Sequence, residues 1–249
     1  MRHKVVIDPG HGGRDPGAVN PTTKLREKDV TLAVSRRIAS HLVPAFDVVL
    51  TRSDDRDFVP QNKAWNANDD LYQRGQIINQ SGASVSLSVH INSAAGPKAH
   101  GTEAFIHGSK PQDTAFGQSV LSNLVKVIGL HNRGLKTANF ALVRYPKMAS
   151  LLVELAFISN SKEEQLLKDP RWQDLAAQGI AQGIAEYLRV PLAGYGPPPP
   201  AGYRSLPIYA GGKAFWGVFI DGNGYMPIRA PLEALGHRVA YDGNKVEIK

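Results

Sequence analysis

Four side chains in this 249-residue sequence, two histidines and two glutamates, are of types that could hold a metal or move a proton. His11 lies in Asp8-Pro-Gly-His-Gly-Gly-Arg-Asp-Pro-Gly17, a glycine-rich loop directly after a short apolar run. That loop lacks the Lys-Ser/Thr of a phosphate-binding P-loop and the G-x-G-x-x-G spacing of a dinucleotide site. His90 lies in Val85-Ser-Leu-Ser-Val-His-Ile-Asn92, where strand alternation turns Val85, Leu87, Val89 and Ile91 one way and Ser86, Ser88, His90 and Asn92 the other. Glu154 is the one polar residue in Leu151-Leu-Val-Glu-Leu-Ala-Phe-Ile158. An ionised carboxylate in a dry strand is strongly unfavourable unless it is paired, metal-bound or at a cleft. Glu154 therefore reads as half of a structural ion pair or, beside a metal, as a catalytic carboxylate. Glu27 opens a helix, where a carboxylate also suits the positive end of the helix dipole.

Taken singly, His11 reads as a solvated loop histidine and Glu27 as a helix-start acid. Taken together, His11, Glu27 and His90 form a His/Glu/His set, one of the ways in which proteins hold catalytic zinc with a fourth position open. The sequence has no cysteine, which excludes disulfides, thiolate metal sites, iron–sulfur clusters and a cysteine nucleophile. Any metal must then be held by histidine and carboxylate. The wide separations of the three residues exclude the compact H-E-x-x-H helix, so the ligands have to converge from a loop, a helix start and a strand.

The elements that must position them are legible in outline. Lys4–Asp8 is a short apolar strand, and Val30, Val34, Ile38 and Leu42 repeat every four residues after Asp29, a helix with Asp29 as its expected N-cap. Phe46–Thr51 reads as a strand, Leu71, Gly75 and Ile78 as a helix, and Val85–Asn92 and Thr102–His107 as strands. Phe116, Val120, Leu124 and Ile128 mark another helix, and Ala141–Arg144 and Leu151–Ile158 read as closing strands. Ser161 with Glu164 has the spacing of a capping box, and Asp169-Pro170 starts a last helix through Trp172, Ala176, Ile180, Ile184 and Leu188. Alternating strands and helices predict an α/β fold: a layered, mostly parallel twisted sheet of about six strands flanked by helices.

Val190–Gly202, with four consecutive prolines at 197–200, reads as an extended linker between a large domain (1–189) and a small β-rich α+β domain (203–249). In the latter, Ala230–Leu235 reads as a short helix, and Arg238–Tyr241 and Lys245–Ile248 as a hairpin about Asp242-Gly-Asn. The net charge of +7 comes without a Lys/Arg tract, which argues against a nucleic-acid groove and for weak attraction to anionic polymers. No run of ~18 apolar residues reads as a membrane span, and Val5-Val-Ile7 is too short for the apolar core of a signal peptide.

Six motifs then occur in one order: Val6-Ile-Asp-Pro-Gly-His-Gly-Gly13, Glu27-Lys-Asp-Val30, Thr51-Arg52, Ser88-Val-His-Ile-Asn92, Arg133-Gly134 and Val153-Glu-Leu-Ala-Phe-Ile-Ser-Asn160. Over residues 3–189 the chain resembles the zinc-dependent N-acetylmuramoyl-L-alanine amidases of bacterial autolysins and phage endolysins. The resemblance implies Zn2+ held by His11, Glu27 and His90, with Glu154 as the catalytic carboxylate. It implies hydrolysis of the amide between N-acetylmuramic acid and the L-alanine of the peptidoglycan stem peptide. The partners implied are the stem peptide and glycan of peptidoglycan, with anionic wall polymers added by the basic charge, and neither nucleic acid nor membrane insertion. Asn92, Ser88 and Trp65 are the expected substrate contacts, and Arg74 is expected to form a structural ion pair. Relative to that family, residues 61–70 form a longer polar stretch, expected to be a loop at the rim of the substrate groove. The tail resembles the small repeat named after the copper amine oxidase N-terminal region, and its place behind a wall hydrolase implies wall targeting. With no leader read, the expectation is a protein made in the cytoplasm and released to the wall, a phage endolysin first and a sporulation mother-cell autolysin second. A zinc peptidase or carboxypeptidase acting on stem peptides is the competing enzyme. An inactive wall-binding protein is the competing non-enzyme, and retention of Glu154 argues against it.

Overall fold

The computed structural model describes residues 2–192 with their side chains and, beyond them, the backbone of five strands between residues 204 and 248. The chain divides into two compact units, residues 1–190 and 191–249. The first is built on β1 (Lys4–Pro9), β2 (Asp47–Leu50), β3 (Val85–Asn92), β4 (Thr102–Ile106), β5 (Asn132–Thr137) and β6 (Ala149–Phe157), in the order β2-β1-β3-β6-β4-β5. Every neighbouring pair is parallel except β4 with β6, which is antiparallel. The expected α/β layered sheet of six strands is what the chain forms.

Six helices flank the sheet: α1 (Glu27–Leu42), α2 (Ala67–Gln80), α3 (Pro111–Ile128), α4 (Ala141–Arg144), α5 (Ser161–Lys168) and α6 (Pro170–Leu188). The central strands are buried on both faces, which explains why β1 and β6 read as almost continuous apolar runs. On one face a cluster joins Val6 to Ile78 of α2 and Leu142 of α4, with Leu71 and Met148 against it. On the other, a Cβ at Gly117 of α3 would lie against Leu135 and Leu151. Because neighbours alternate, Leu152 and Glu154 face away from α3. The contact between α3 and α6 is closest at glycine: a Cβ at Gly183 would lie 2.4 Å from the Cα of Val120, and one at Gly179 2.8 Å from that of Leu124.

Several local expectations are corrected. Helix α1 begins at Glu27 rather than after Asp29, because the glycine-rich loop caps it with backbone: the Glu27 and Lys28 amides donate to the carbonyls of Ala18 and Pro16. Ala141–Arg144 is a helical turn and not a strand, since the Arg144 amide returns to the Phe140 carbonyl. The strand in that part of the chain is β5, which the apolar pattern of Asn-Arg-Gly-Leu-Lys-Thr does not announce because it is an edge strand. Asn160, not Ser161, caps α5 by accepting from the amides of Lys162 and Glu163. Glu164 instead accepts from the Thr23 hydroxyl and pairs with Lys168. The 61–70 stretch is only partly a loop, for Asn66 caps α2 and residues 67–70 form its first turn. Asp169 and Pro170 start α6 as read.

In the second unit, β7 (Arg204–Ala210), β8 (Lys213–Ile220) and β9 (Asn223–Tyr225) form an antiparallel sheet, and β10 (Val239–Tyr241) pairs antiparallel with β11 (Val246–Ile248). That last pair is the hairpin read from the sequence. The proline run and the helix expected at Ala230–Leu235 lie outside the described residues. Among the described residues, no helix is long and apolar enough to cross a membrane.

Candidate active site

The site forms where the parallel strands end, the edge at which ligand sites of open α/β sheets collect. The chain leaves β1 at Pro9 and turns through His11, whose φ of 61° is left-handed. Two glycines make room for the imidazoles. A Cβ on Gly10 would lie 2.5 Å from the His90 ring, and one on Gly17 would lie 2.6 Å from His11 and 2.7 Å from Glu27. Three cationic side chains hold the rest of the loop by its carbonyls, and one carboxylate holds it by its arginine. Arg52 donates to the carbonyls of Pro9 and Gly10, Lys28 to that of Gly13, and Arg74 to those of Pro9 and His11, while Arg14 pairs with Asp57 at 2.6 Å. Arg74 is almost fully buried and also bonds Asp70 (2.7 Å) and Asp8 (3.1 Å). It is the expected ion pair, and its position makes it a brace between α2 and the His11 loop.

His11, Glu27 and His90 come together. Glu27 Oε1 lies 3.1 Å from His11 Nε2 and 3.0 Å from His90 Nδ1, and the two rings meet edge to face with centroids 4.9 Å apart. One ligand atom from each residue falls within 4.8 Å of the others, a spacing at which the three could hold one metal ion. The other atoms of the set are already fixed. His11 Nδ1 is bonded to Asp15 at 2.7 Å, which turns Nε2 toward Glu27. Glu27 Oε2 accepts from the Ala18 amide and Oε1 also accepts from that of Ile91. Burial opposes charge on His11 and Glu27, yet hydrogen bonds and charge outweigh it. Asp15 and Glu27 push His11 up to about 9, and the two histidines hold Glu27 well below the usual carboxylate range. The donor set is complete for a cation of borderline softness: two imidazole nitrogens, one carboxylate oxygen and no sulfur.

Glu154 sits beside this set, in register with His90 on the adjoining strand β3. Its Oε2 is buried without a hydrogen-bond partner among the described residues. Burial first, then the charges of Glu27 and Glu103, push its carboxyl up to about 8 against a smaller opposing pull from His11. Among the described residues no ion pair forms at Glu154, so the ion-pair reading falls away. Glu103, in register with Glu154 on the other side, is the carboxylate that is paired, to Arg133 (2.7 Å) and to Lys136.

The expected substrate residues fare differently. Ser88 is buried and donates to Asp8, so it braces β1 instead of facing the groove. Asn92 donates to Glu103 Oε1. Trp65 does line a cavity of about 290 Å³, together with Leu71, Phe140, Leu142, Leu152, His11, His90 and Glu154. The residues that the sequence reading left without a role are the loop's clamps: Arg52 was visible only as part of Thr51-Arg52, and Lys28 only as part of Glu27-Lys-Asp-Val30.

Known proteins share this arrangement of elements. A family model described as N-acetylmuramoyl-L-alanine amidase matches residues 5–186. The germination-specific N-acetylmuramoyl-L-alanine amidase of Bacillus subtilis is 34% identical over 189 residues, covering 74% of this chain and 79% of the relative. The endolysin of Bacillus phage SPP1 is 31% identical, over 76% of this chain and 68% of the relative. Among solved structures, the catalytic domain of the amidase CwlV from Bacillus (Paenibacillus) polymyxa superposes with a TM-score of 0.69 at 37% identity. It covers 77% of this chain and all of that domain. The CwlD amidase of Clostridioides difficile, solved with the GerS lipoprotein, gives a TM-score of 0.72 at 30% identity, over 75% of this chain and 98% of that one.

Proposed function

The chain belongs to the N-acetylmuramoyl-L-alanine amidase family and cleaves the amide between N-acetylmuramic acid and the L-alanine of the stem peptide, and we propose that it does so with zinc held by His11, Glu27 and His90 and with Glu154 as acid–base group. The observation that carries this reading is the convergence of the three ligand atoms within 4.8 Å, with Glu154 in register beside His90. Zinc bound there would polarise the scissile carbonyl and lower the pKa of water from about 15.7 to about 7. Glu154 takes the proton of the attacking water on its unpartnered carboxylate and delivers it to the departing nitrogen of L-alanine. Burial and the neighbouring carboxylates raise the Glu154 carboxyl in the metal-free site, and a cation held by His11, Glu27 and His90 would favour the ionised form that accepts this proton. Asp15 fixes the tautomer of His11, and Arg74 and Arg52 hold the loop that carries it.

Residues 1–189 form the catalytic domain in this reading, 190–202 a linker and 203–249 a small domain like the copper amine oxidase N-terminal repeat, which keeps the enzyme on the wall. The net charge of +7 supports attraction to anionic wall polymers. The relatives include both a phage endolysin and germination- and sporulation-specific amidases, and the lytic, endolysin role is the one we assign. The test is digestion of purified sacculi. New L-alanine amino termini without new reducing sugar ends are expected, lost with a chelator and restored by zinc. Digestion unaffected by complete metal removal would overturn the zinc reading.

A further inference from the structure

Resting on that functional reading, we infer that Trp65 is the specificity-determining contact for the sugar half of the substrate, so that the muramoyl group lies on the α2 side of Glu154 and the stem peptide leaves on the β5 side. Three observations carry the assignment. The first is the wall itself. Trp65 lines the cavity that also holds His11, His90 and Glu154, and the surfaces around it, Leu71, Phe140, Leu142 and Leu152, are apolar or aromatic. An indole on an apolar floor suits the carbon-bound hydrogens of a pyranose ring and the methyl of an acetamido group.

The second is an unmet hydrogen bond. The Trp65 indole nitrogen is buried with no acceptor within the described residues. An unpaired buried N–H is unfavourable, so packing stability alone does not favour a tryptophan there. A ligand carrying a carbonyl or hydroxyl oxygen supplies the missing acceptor once the ring turns toward it. The chain on either side of the indole is anchored. Asn66, the next residue, caps α2 through two amides, and the Lys63 carbonyl is gripped by Arg14 on the same loop that carries His11.

The third is the distribution of charge. The cavity offers no uncommitted cation beside the metal-ligand set: Arg74 is spent on Asp8, Asp70 and two carbonyls, His11 is bonded to Asp15 and Glu27, and the acidic side chains around it are Asp15, Asp70 and Glu154. Such a wall gives the carboxylates that follow L-alanine in a stem peptide no free cation to meet, and it accepts an uncharged acetylated sugar. The cations lie elsewhere. The order β1-β3-β6-β4-β5 puts Arg133 and Lys136 beyond Glu154, on the far side from the α2 helix that Arg74 ties to β1. Two cations share the single carboxylate of Glu103, and they stay 31% and 40% exposed, a ledge of net positive charge for the acidic peptide.

The test compares two substrates with the same scissile amide on the full chain: a disaccharide muropeptide and a D-lactoyl stem peptide that lacks the sugar ring. Trp65→Ala is expected to lower the ratio of kcat/KM for the muropeptide over the lactoyl peptide by roughly 10- to 50-fold, through KM for the muropeptide. Trp65→Phe, which keeps a ring and loses the N–H, should fall between. Calorimetric binding of the peptide-free disaccharide should weaken at least tenfold in Trp65→Ala. A ratio that Trp65→Ala leaves unchanged would overturn the assignment, as would undiminished binding of the disaccharide. Failure of the wild-type enzyme to cleave either substrate would break the amidase reading instead, and the calorimetry would still decide the place of the sugar.

Discussion

Glu27, buried, and Glu154, half-buried with its Oε2 enclosed, are glutamates at the same edge of one sheet, and their surroundings drive them in opposite directions. Glu27 is surrounded by donors: two imidazoles and the amides of Ala18 and Ile91. Glu154 meets apolar walls, two other carboxylates and no donor to Oε2. The first stays ionised and is built to hold a cation, whereas the second, in the metal-free protein, keeps its proton to about pH 8. The lesson is that residue type alone does not separate a ligand from an acid–base group. The number of hydrogen-bond donors in reach does.

Exchanging each carboxylate for its amide is the sharpest way to break this comparison. Glu154→Gln should lower kcat at least ~10³-fold while leaving the zinc dissociation constant within a few-fold, because it removes proton transfer and no ligand. Glu27→Gln should fail in both respects, with zinc affinity measured by chelator competition. Equal loss of metal in the two variants would erase the distinction. Next in size is the brace behind the Glu27 side. Arg74→Ala leaves Asp8 and Asp70 buried and unpaired, and should destabilise the fold by about 3–5 kcal/mol in denaturant titration. Removing the His11 orienter is a smaller change: Asp15→Asn should weaken zinc binding by roughly 10- to 100-fold with little loss of stability.

The smallest effect concerns the metal-free protein. Glu154 binds its proton more tightly folded, at about 8, than unfolded, at 4.5. Its contribution to stability is complete below about pH 4.5 and is lost as pH rises toward 8. Glu154→Gln removes that loss. The variant should therefore melt higher than the wild type by roughly 5 °C at pH 8, and the gap should close as pH falls to 4.5. A gap that is constant with pH would show that Glu154 does not hold its proton.

Much of this contrast is legible in the sequence because it breaks patterns. Glu154 is conspicuous in an apolar strand, and His90 in an alternating one, so both could be picked out with no coordinates. His11 and Glu27 are ordinary singly, and only their conjunction marks them. Other parts are hidden for physical reasons. Edge strand β5 has one side free, so it needs few apolar residues and shows no periodicity. The start of α1 is set by carbonyls from a distant part of the loop, which no local capping rule can find. The bonds of Arg52 and Arg74 go mostly to backbone carbonyls, which carry no residue signature. Ser88 has the alternation of a groove residue, and only the register of β1 on β3 shows that Asp8 takes its hydroxyl.

The glycines of α6 have a consequence for how variation in this chain would be interpreted. With Gly183 and Gly179 set against the backbone of α3, a single added methyl has nowhere to go short of prising two helices apart. A survey of tolerated substitutions would therefore mark these two positions as sharply as His11 or Glu154, although the seam between α3 and α6 holds none of the site's side chains. Intolerance along α6 would record how closely two cylinders are fitted, and a map of it would need to be read separately from the map of catalysis.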